Sequence, residues 1–550
     1  MGVTESKLPC IQKVIPVVLS SMKYISTRGG SLQTSFEGAT LEGLANDGGL
    51  YIPEHIPALP PHWRDWEKFS FQQLACEIFR LYIDPCEIVK NDLEELVTRS
   101  YSTFRVPEIT PLKLLKDKDN LYLLELFHGP TFAFKDVALQ FVGNLFEYFI
   151  QRKNRALEHG QPRHHMTVVG ATSGDTGSAA IYGLRNKQDI SVFILHPKGR
   201  VSPIQEAQMT TVLDKNIHNI AVGGTFDDCQ DLVKSLFADT AFNAKYRLGA
   251  VNSINWARIL AQITYYFHAY FSLSRGKGRD IRVKFVVPTG NFGDILAGYF
   301  AKRMGLPIEQ LVIATNENDI LDRFWRSGSY QRKPVSPSEA AGGIVEDGVK
   351  AHEEGAKETL SPAMDILVSS NFERLLWYLV YECEANDSHE QAGKIMKEWM
   401  TTVKTRGSLT VPPAVLQAAR RDFCSECISD KDTLATIRDN FMPKTNGEQY
   451  ILDPHTAVGV SAATRLISKA NTGNEAAPTF YISLATAHPA KFSNAVDLAL
   501  TGKPGYSFEQ VVPVEFEGLL DKEKRIIDLR EPNLVMIKDA IIETLSGGRV

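Results

Sequence analysis

The chain has 550 residues, 43% hydrophobic and 23% charged, with a formal net charge of −5. A length of this order provides for roughly three to four domains. The weak acidity and scattered basic residues exclude a nucleic-acid footprint, and no run reaches the roughly 18 apolar residues of a membrane span.

Residues 1–6 match the loose N-myristoylation pattern. No basic segment followed by an apolar core opens the chain, so a cytoplasmic protein is expected. Residues 1–105 read as a mainly helical region, with apolar residues at helical spacing over 71–81 and 92–104. From residue 121 onward, strand and helix patterns alternate, with strands predicted at 121–127, 167–169, 191–195, 219–222, 283–287, 310–314 and 479–484. Such alternation argues for parallel sheet covered by helices on both faces. Residues 106–330 form the expected α/β core. Residues 331–361, rich in Gly, Glu, Ser and Pro, read as an exposed insertion. Residues 362–550 complete the large domain, and their charged stretch 387–446 is expected to be helical and to cap the smaller domain. The seven cysteines are too few for a disulfide framework. Cys424 and Cys427 form a lone C-x-x-C, read as two thiols on successive helical turns and not as a zinc site.

Three segments carry chemistry. The first is 125–136 (Glu-Leu-Phe-His-Gly-Pro-Thr-Phe-Ala-Phe-Lys-Asp). Lys135 follows a turn and is walled by Phe132, Phe134 and Val137. Apolar surroundings penalise its ammonium form, and a neutral amine can form a Schiff base with an aldehyde cofactor. A lysine snorkelling to solvent would leave the same trace on its own. The second segment is 170–178 (Gly-Ala-Thr-Ser-Gly-Asp-Thr-Gly-Ser), between a strand pattern and a helix pattern. Ser173, Gly174, Asp175, Thr176 and Gly177 place hydroxyls and backbone amides at a helix N-terminus, a geometry that suits an anion. Asp175 is awkward there, and its side chain is expected to point outward, capping the helix or orienting the loop. The third is 288–294 (Pro-Thr-Gly-Asn-Phe-Gly-Asp), again strand, glycine loop, helix. Gly290, Asn291, Phe292, Gly293 and Asp294 would cradle a phosphate, although the spacing is neither a Walker loop nor a dinucleotide fingerprint.

These segments, with residues 35–53, resemble the threonine synthases of the fungal and bacterial type, which are fold-type II enzymes using pyridoxal 5′-phosphate (PLP). The resemblance runs from about residue 24 to beyond 492. It implies an α/β, tryptophan synthase β-like fold: two α/β domains with PLP between them. Lys135 would then be the cofactor's amine, residues 290–294 its phosphate cradle, and Thr486 the neutral hydroxyl facing the pyridine nitrogen. Residues 173–177 become the clamp for the substrate carboxylate. The implied substrate, O-phospho-L-homoserine, carries a phosphate that needs its own partners. Arg258, with Ser253 and Asn255, is the first candidate, Lys198 the second and Arg374 the third. The implied reaction is a β,γ-replacement giving L-threonine and phosphate. No metal is implied, no nucleic acid or membrane partner is expected, and a monomer is favoured. Two rival readings remain at this point: a PLP lyase or dehydratase that stops at elimination, and a catalytically silent relative that binds phosphorylated amino acids.

Overall fold

The computed structural model describes residues 21–30, 33–278, 281–332, 356–441, 449–470 and 478–547. The acylation pattern at residues 1–6 lies outside them, as does most of the expected insertion.

Residues 24–53 pair two short antiparallel strands, β1 (Tyr24–Ser26) and β2 (Tyr51–Pro53), around helix α1 (Phe36–Glu42). Helix α2 (Phe71–Arg80) begins at a capping box of Ser70 with Gln73 and buries Phe71, Leu74, Ala75 and Ile78. Helix α3 (Lys90–Tyr101) completes this region.

Strand and helix then alternate. The order is β3 (Leu112–Lys116), β4 (Leu121–Glu125), α4 (Lys135–Arg155), β5 (Met166–Ala171), α5 (Asp175–Leu184), β6 (Ile190–Pro197), α6 (Pro203–Thr210), β7 (Ile217–Val222), α7 (Phe226–Ala238), α8 (Thr240–Tyr246) and β8 (Leu248–Gly249). There follow α9 (Trp256–Lys277), β9 (Arg282–Pro288), α10 (Gly293–Met304), β10 (Ile308–Thr315), α11 (Ile320–Ser327), β11 (Ser329–Gln331) and α12 (Phe372–Cys383). The chain ends with α13 (His389–Arg406), β12 (Ser408–Thr410), α14 (Pro413–Asp422), β13 (Phe423–Cys427), α15 (Asp430–Phe441), α16 (Pro454–Ala470), β14 (Thr479–Ala485), α17 (Ser493–Leu500), β15 (Ile527–Leu529) and α18 (Leu534–Leu545).

Two sheets organise these elements. One has the order β13-β10-β9-β14-β4-β3, parallel except for the β3 edge, and the other is the parallel sheet β15-β7-β6-β5-β8. Strands such as β4 and β14 are buried along their whole length. That is why they read as continuous apolar runs and not as alternating ones. The largest apolar core joins the N-terminal helices to α4, α9 and α10, and smaller clusters fill the outer face of each sheet.

Two expectations need correction. Cys424 and Cys427 lie on a strand, because Phe423–Cys427 pairs in register with Leu311–Thr315 at the sheet edge. Pairing overrides a local pattern that looked helical. The described part of the stretch 387–446, residues 387–441, does not cap the smaller sheet. It supplies β13 to the six-stranded sheet and packs α14 and α15 around it. The smaller sheet is closed instead by β15, which pairs with β7.

Helices α4 and α5 set the position of the site. They pass so closely that a Cβ on Gly143 would fall 1.9 Å from the Gly183 carbonyl oxygen, and one on Gly183 would fall 2.4 Å from that of Leu139. Each glycine is eight residues beyond the first residue of its helix. The two helices therefore bring their N-termini together, with Lys135 opening α4 and Asp175 opening α5.

Candidate active site

Lys135 is presented by a loop pinned on both sides. Leu126 N donates to Ala485 O at 2.9 Å, Phe134 N to Thr486 O at 2.8 Å, and His488 N to Phe132 O at 3.1 Å. Residues 126–134 thus run beside the chain that leaves β14. The buried Asp136 carboxylate accepts from Thr131 N and Thr131 Oγ1, both at 2.7 Å, folding the loop onto the start of α4. Burial pushes the Asp136 pKa up to about 6. Phe132 takes a left-handed φ of 60°. It is held there by edge contact with Phe516, ring centroids 4.8 Å apart, and by the Arg105 guanidinium 3.5 Å over its ring.

The Lys135 side chain is 11% exposed, with Nζ 3.6 Å from Asp175 Oδ2 and 4.9 Å from the Phe134 ring centroid. Burial is the largest influence on its pKa and lowers it. Asp175 opposes that, while Lys491 and Arg258 push in the same direction as burial.

Asp175 turns inward, correcting the outward placement expected from the sequence. Its Oδ1 is 2.6 Å from Lys491 Nζ and accepts from Gln205 Nε2 at 2.7 Å. Burial alone would raise its pKa, but the ammonium groups of Lys491 and Lys135 outweigh this and hold the carboxyl below the usual carboxylate range. With Asp175 engaged in this way, its carboxylate does not cap α5, and Gly174 at the N-cap position has no side chain to do so. Thr172 instead braces the loop, its Oγ1 accepting from Gly174 N at 2.9 Å and Gly177 N at 2.8 Å. Gly174 has φ 147°, and a Cβ there would lie 2.5 Å from Gln205 Oε1. Ser173 is exposed and Thr176 partly so. With the Gly174 and Gly177 amides taken by Thr172, the Ser173 and Thr176 hydroxyls at the helix N-terminus are the groups left to meet a small anion.

The second glycine loop repeats the arrangement. Helix α10 has no side-chain cap, and its preceding residue, Phe292, has a left-handed φ of 63°. A bulky residue in that region is strained by roughly 1–2 kcal/mol. Contacts with Phe372 at 5.4 Å and Phe423 at 5.9 Å between ring centroids keep it there. Asp294 could cap the helix but turns to Tyr265 and Tyr266, which donate to its Oδ1, the latter at 3.0 Å. Burial raises the Asp294 pKa to about 6 against those hydrogen bonds and the Lys135 charge. The cradle is walled: a Cβ on Gly290 would lie 3.1 Å from Ala363 O and 3.2 Å from Met364 Cα. Ser369 Oγ donates to Gly290 O at 2.7 Å, and Asn371 Nδ2 donates to Asn291 O at 3.0 Å.

One buried carboxylate ties this wall to Thr486. Asp453 receives hydrogen bonds from Thr456 Oγ1 and from His455 Nδ1, the latter at 2.9 Å. His455 Nε2 accepts from Ala363 N at 3.1 Å, which fixes the ring's tautomer, and Thr456 Oγ1 accepts from Thr486 N at 3.2 Å. Thr486 itself is buried.

The candidates for substrate phosphate separate clearly. Arg258 is buried, donates to Val251 O at 3.0 Å, leaves Nε without a protein partner, and lies close enough to Lys135 to lower its pKa. Ser253 Oγ is 3.3 Å from Ser370 Oγ, which donates to Asn291 Oδ1 at 3.2 Å, so it sits beside the cradle. Asn255 is occupied at both ends, accepting from Ala257 N as the cap of α9 and donating to Thr40 O. Lys198 is more than half exposed and ion-paired with Asp528 of β15, so it does not join the cluster. Arg374 is fully buried and engaged with Tyr51 O, Asn371 Oδ1 and Ile254 O, which makes it a structural tie. His488 is a partly buried ring against Phe127 and Phe132.

Lys491, Thr172 and Asp453 escaped the reading of the sequence. Lys491 carried the same signal as Lys135, a lysine between apolar neighbours in Pro489-Ala-Lys-Phe492.

The residues present fit PLP: an amine at Lys135, an uncapped helix N-terminus above a walled glycine loop for a phosphate, and a neutral hydroxyl at the end of β14. Comparison with known proteins gives the same result. Family models match residues 23–101 (threonine synthase N terminus), 105–359 (pyridoxal-phosphate dependent enzyme) and 456–541 (threonine synthase, C-terminal). The chain is 57% identical to threonine synthase of Schizosaccharomyces pombe over 96% of its length and 99% of that protein. It is 55% identical to that of Saccharomyces cerevisiae, again over 96% and 99%. The crystal structure of the yeast enzyme superimposes with a TM-score of 0.87 at 54% identity, covering 96% of this chain and 99% of that one. The PLP-bound enzyme of Brucella melitensis does so at 0.80 and 38%, covering 95% and 99%. The chain belongs to the threonine synthase family of pyridoxal-phosphate-dependent enzymes.

Proposed function

We propose that the protein converts O-phospho-L-homoserine and water into L-threonine and phosphate. The observation that carries the reading is a buried amine, Lys135, standing between two helix N-termini whose N-cap residues, Gly174 and Phe292, make no side-chain cap. One N-terminus would take the cofactor phosphate at residues 290–294 and the other the substrate carboxylate at residues 173–177. PLP, when bound, supplies an electron sink that makes protons next to the amino-bearing carbon acidic.

The chain's own residues would do the rest. Lys135, its pKa lowered by burial, would take the Cα proton. A Cβ proton also leaves, and phosphate departs from Cγ. Arg258 and Ser253 are the groups proposed to hold that phosphate. A proton is then delivered to Cγ, water adds its hydroxyl at Cβ, and a proton returns to Cα. Thr486, a neutral hydroxyl, would leave the pyridine nitrogen less fully protonated than a carboxylate would. The Phe134 ring, 4.9 Å from the Lys135 Nζ, would limit water at the amine.

The reading carries with it a cytoplasmic monomer; sedimentation at working concentration tests the monomer, and a dimer mass would contradict it. The function is tested by incubating PLP-loaded protein with O-phospho-L-homoserine and quantifying products. Equal amounts of L-threonine and phosphate are expected. Phosphate with a keto acid and no threonine would make the protein a lyase, and no turnover would make it a binding relative.

A further inference from the structure

Lys135 sits among buried charges of both signs. Asp175 faces it from α5, Lys491 from the turn after β14, Arg258 from α9 and Asp294 from α10. The three cations are held unequally. Lys491 is fully buried, 2.6 Å from Asp175 Oδ1, and donates to Thr131 O at 2.8 Å. Arg258 is a guanidinium, which does not deprotonate in proteins. Lys135 has the longer contact, 3.6 Å to the other oxygen of the same carboxylate. Gln205, from α6, donates to Asp175 Oδ1 and fixes which oxygen faces which lysine. On the far side, Asp136 and His488 feel the Lys491 charge.

We propose that Lys491 is a positioning residue for the reaction: by occupying Asp175 it prevents the carboxylate from locking Lys135 as an ammonium ion, while Asp175 aims the Lys135 side chain from α5. The proposal rests on Lys135 being the reactive amine. Without Lys491, Asp175 would have a single buried cation to satisfy, and Lys135 would hold its proton more tightly. Without the Asp175 charge, Lys135 would face Lys491 and Arg258 with its ion-pair partner gone and would lose its proton more readily. The pair therefore makes opposed contributions to one titration, which a packing role does not.

The test uses cofactor-free full-length protein, trace-acetylated with acetic anhydride from about pH 6 to about pH 10, with the Lys135 peptide quantified by mass spectrometry to give its apparent pKa. Lys491→Met should raise that pKa and Asp175→Asn should lower it, each by about one unit, the usual scale for a charge at this range. The double variant should return toward the parent, and Lys491→Arg, which keeps the charge, should match the parent. The pH dependence of the visible cofactor band in PLP-loaded protein gives a second readout. Shifts of the same sign, or no shift in a folded Lys491→Met variant, overturn the proposal. If that variant does not fold, the near-isosteric Asp175→Asn decides alone, and absence of a downward shift overturns it. Failure of the underlying reading is a separate outcome: borohydride treatment of the loaded parent would then leave Lys135 unmodified.

Discussion

The contact between α4 and α5 makes the sharpest structural prediction. In Gly183→Ala the new Cβ would stand 2.4 Å from the Leu139 carbonyl oxygen. Both atoms belong to rigid helix backbone, so the helices must part by about 1 Å to restore ordinary contact. Overpacking of this kind costs about 1–3 kcal/mol, and the better helix propensity of alanine returns up to about 1 kcal/mol. Net destabilisation is then about 0–2 kcal/mol. The effect on the site is larger. Lengthening the 3.6 Å Lys135–Asp175 contact by about 1 Å weakens it by roughly 1 kcal/mol at an effective dielectric near 20. A displacement of that size between the two N-termini reduces turnover by on the order of 10²-fold. Gly143→Ala, with its clash at 1.9 Å, should be worse on both counts. Gly276→Ala, in α9 where an added Cβ meets nothing within 4 Å, is the control and should be neutral or slightly stabilising. The assays are urea unfolding and steady-state phosphate release. Turnover by Gly183→Ala within about threefold of the parent would refute the claim that this crossing sets the site.

Other predictions follow from single side chains. Asp136 has a folded pKa of about 6, raised above an unfolded value near 3.9, so its protonated form favours the native state. That contribution is complete below about pH 4 and is lost as pH rises through about 6, a change of roughly 3 kcal/mol. The rings of buried His268 and partly buried His218 and His488, with pKa lowered to about 4 mainly by desolvation, slope the other way over the same range. The difference in unfolding free energy between the parent and Asp136→Asn isolates the carboxyl and should fall with pH; a flat difference would contradict the assignment. Arg258→Met should lower kcat/KM for the phosphorylated substrate by roughly tenfold or more while leaving PLP affinity near that of the parent, since a hydrogen bond to a charged group is worth about 1.5–3 kcal/mol. Lys198→Ala, which breaks only an exposed pair with Asp528, should leave kcat/KM within about twofold, because such pairs contribute about 0–1 kcal/mol.

The buried parallel strands could be read from the sequence because burial on two faces demands unbroken apolar, β-branched runs, and β6, β9, β10 and β14 contain the predicted windows. Strand β13 could not. Phe-Cys-Ser-Glu-Cys has no such pattern and takes its conformation from pairing with β10. The local parts of the candidate site could be picked out for a similar reason: Lys135 and both glycine loops stand out through their immediate neighbours, and the fold brings Lys135 beside Asp175 of the first loop. Asp175 was misread because an acid in an anion-binding loop makes sense only beside Lys491, a residue remote in the chain and adjacent in space. Lys198 and Arg374 turn to other partners, because a cation near a strand or helix end looks the same in sequence whether it faces a ligand, Asp528 or a set of backbone carbonyls.

Reduction of the PLP-loaded protein with borohydride, followed by peptide mapping, tests the central claim most directly. The account predicts a single pyridoxyl adduct on the ε-amine of Lys135. An adduct on Lys491, or none on Lys135, would contradict it.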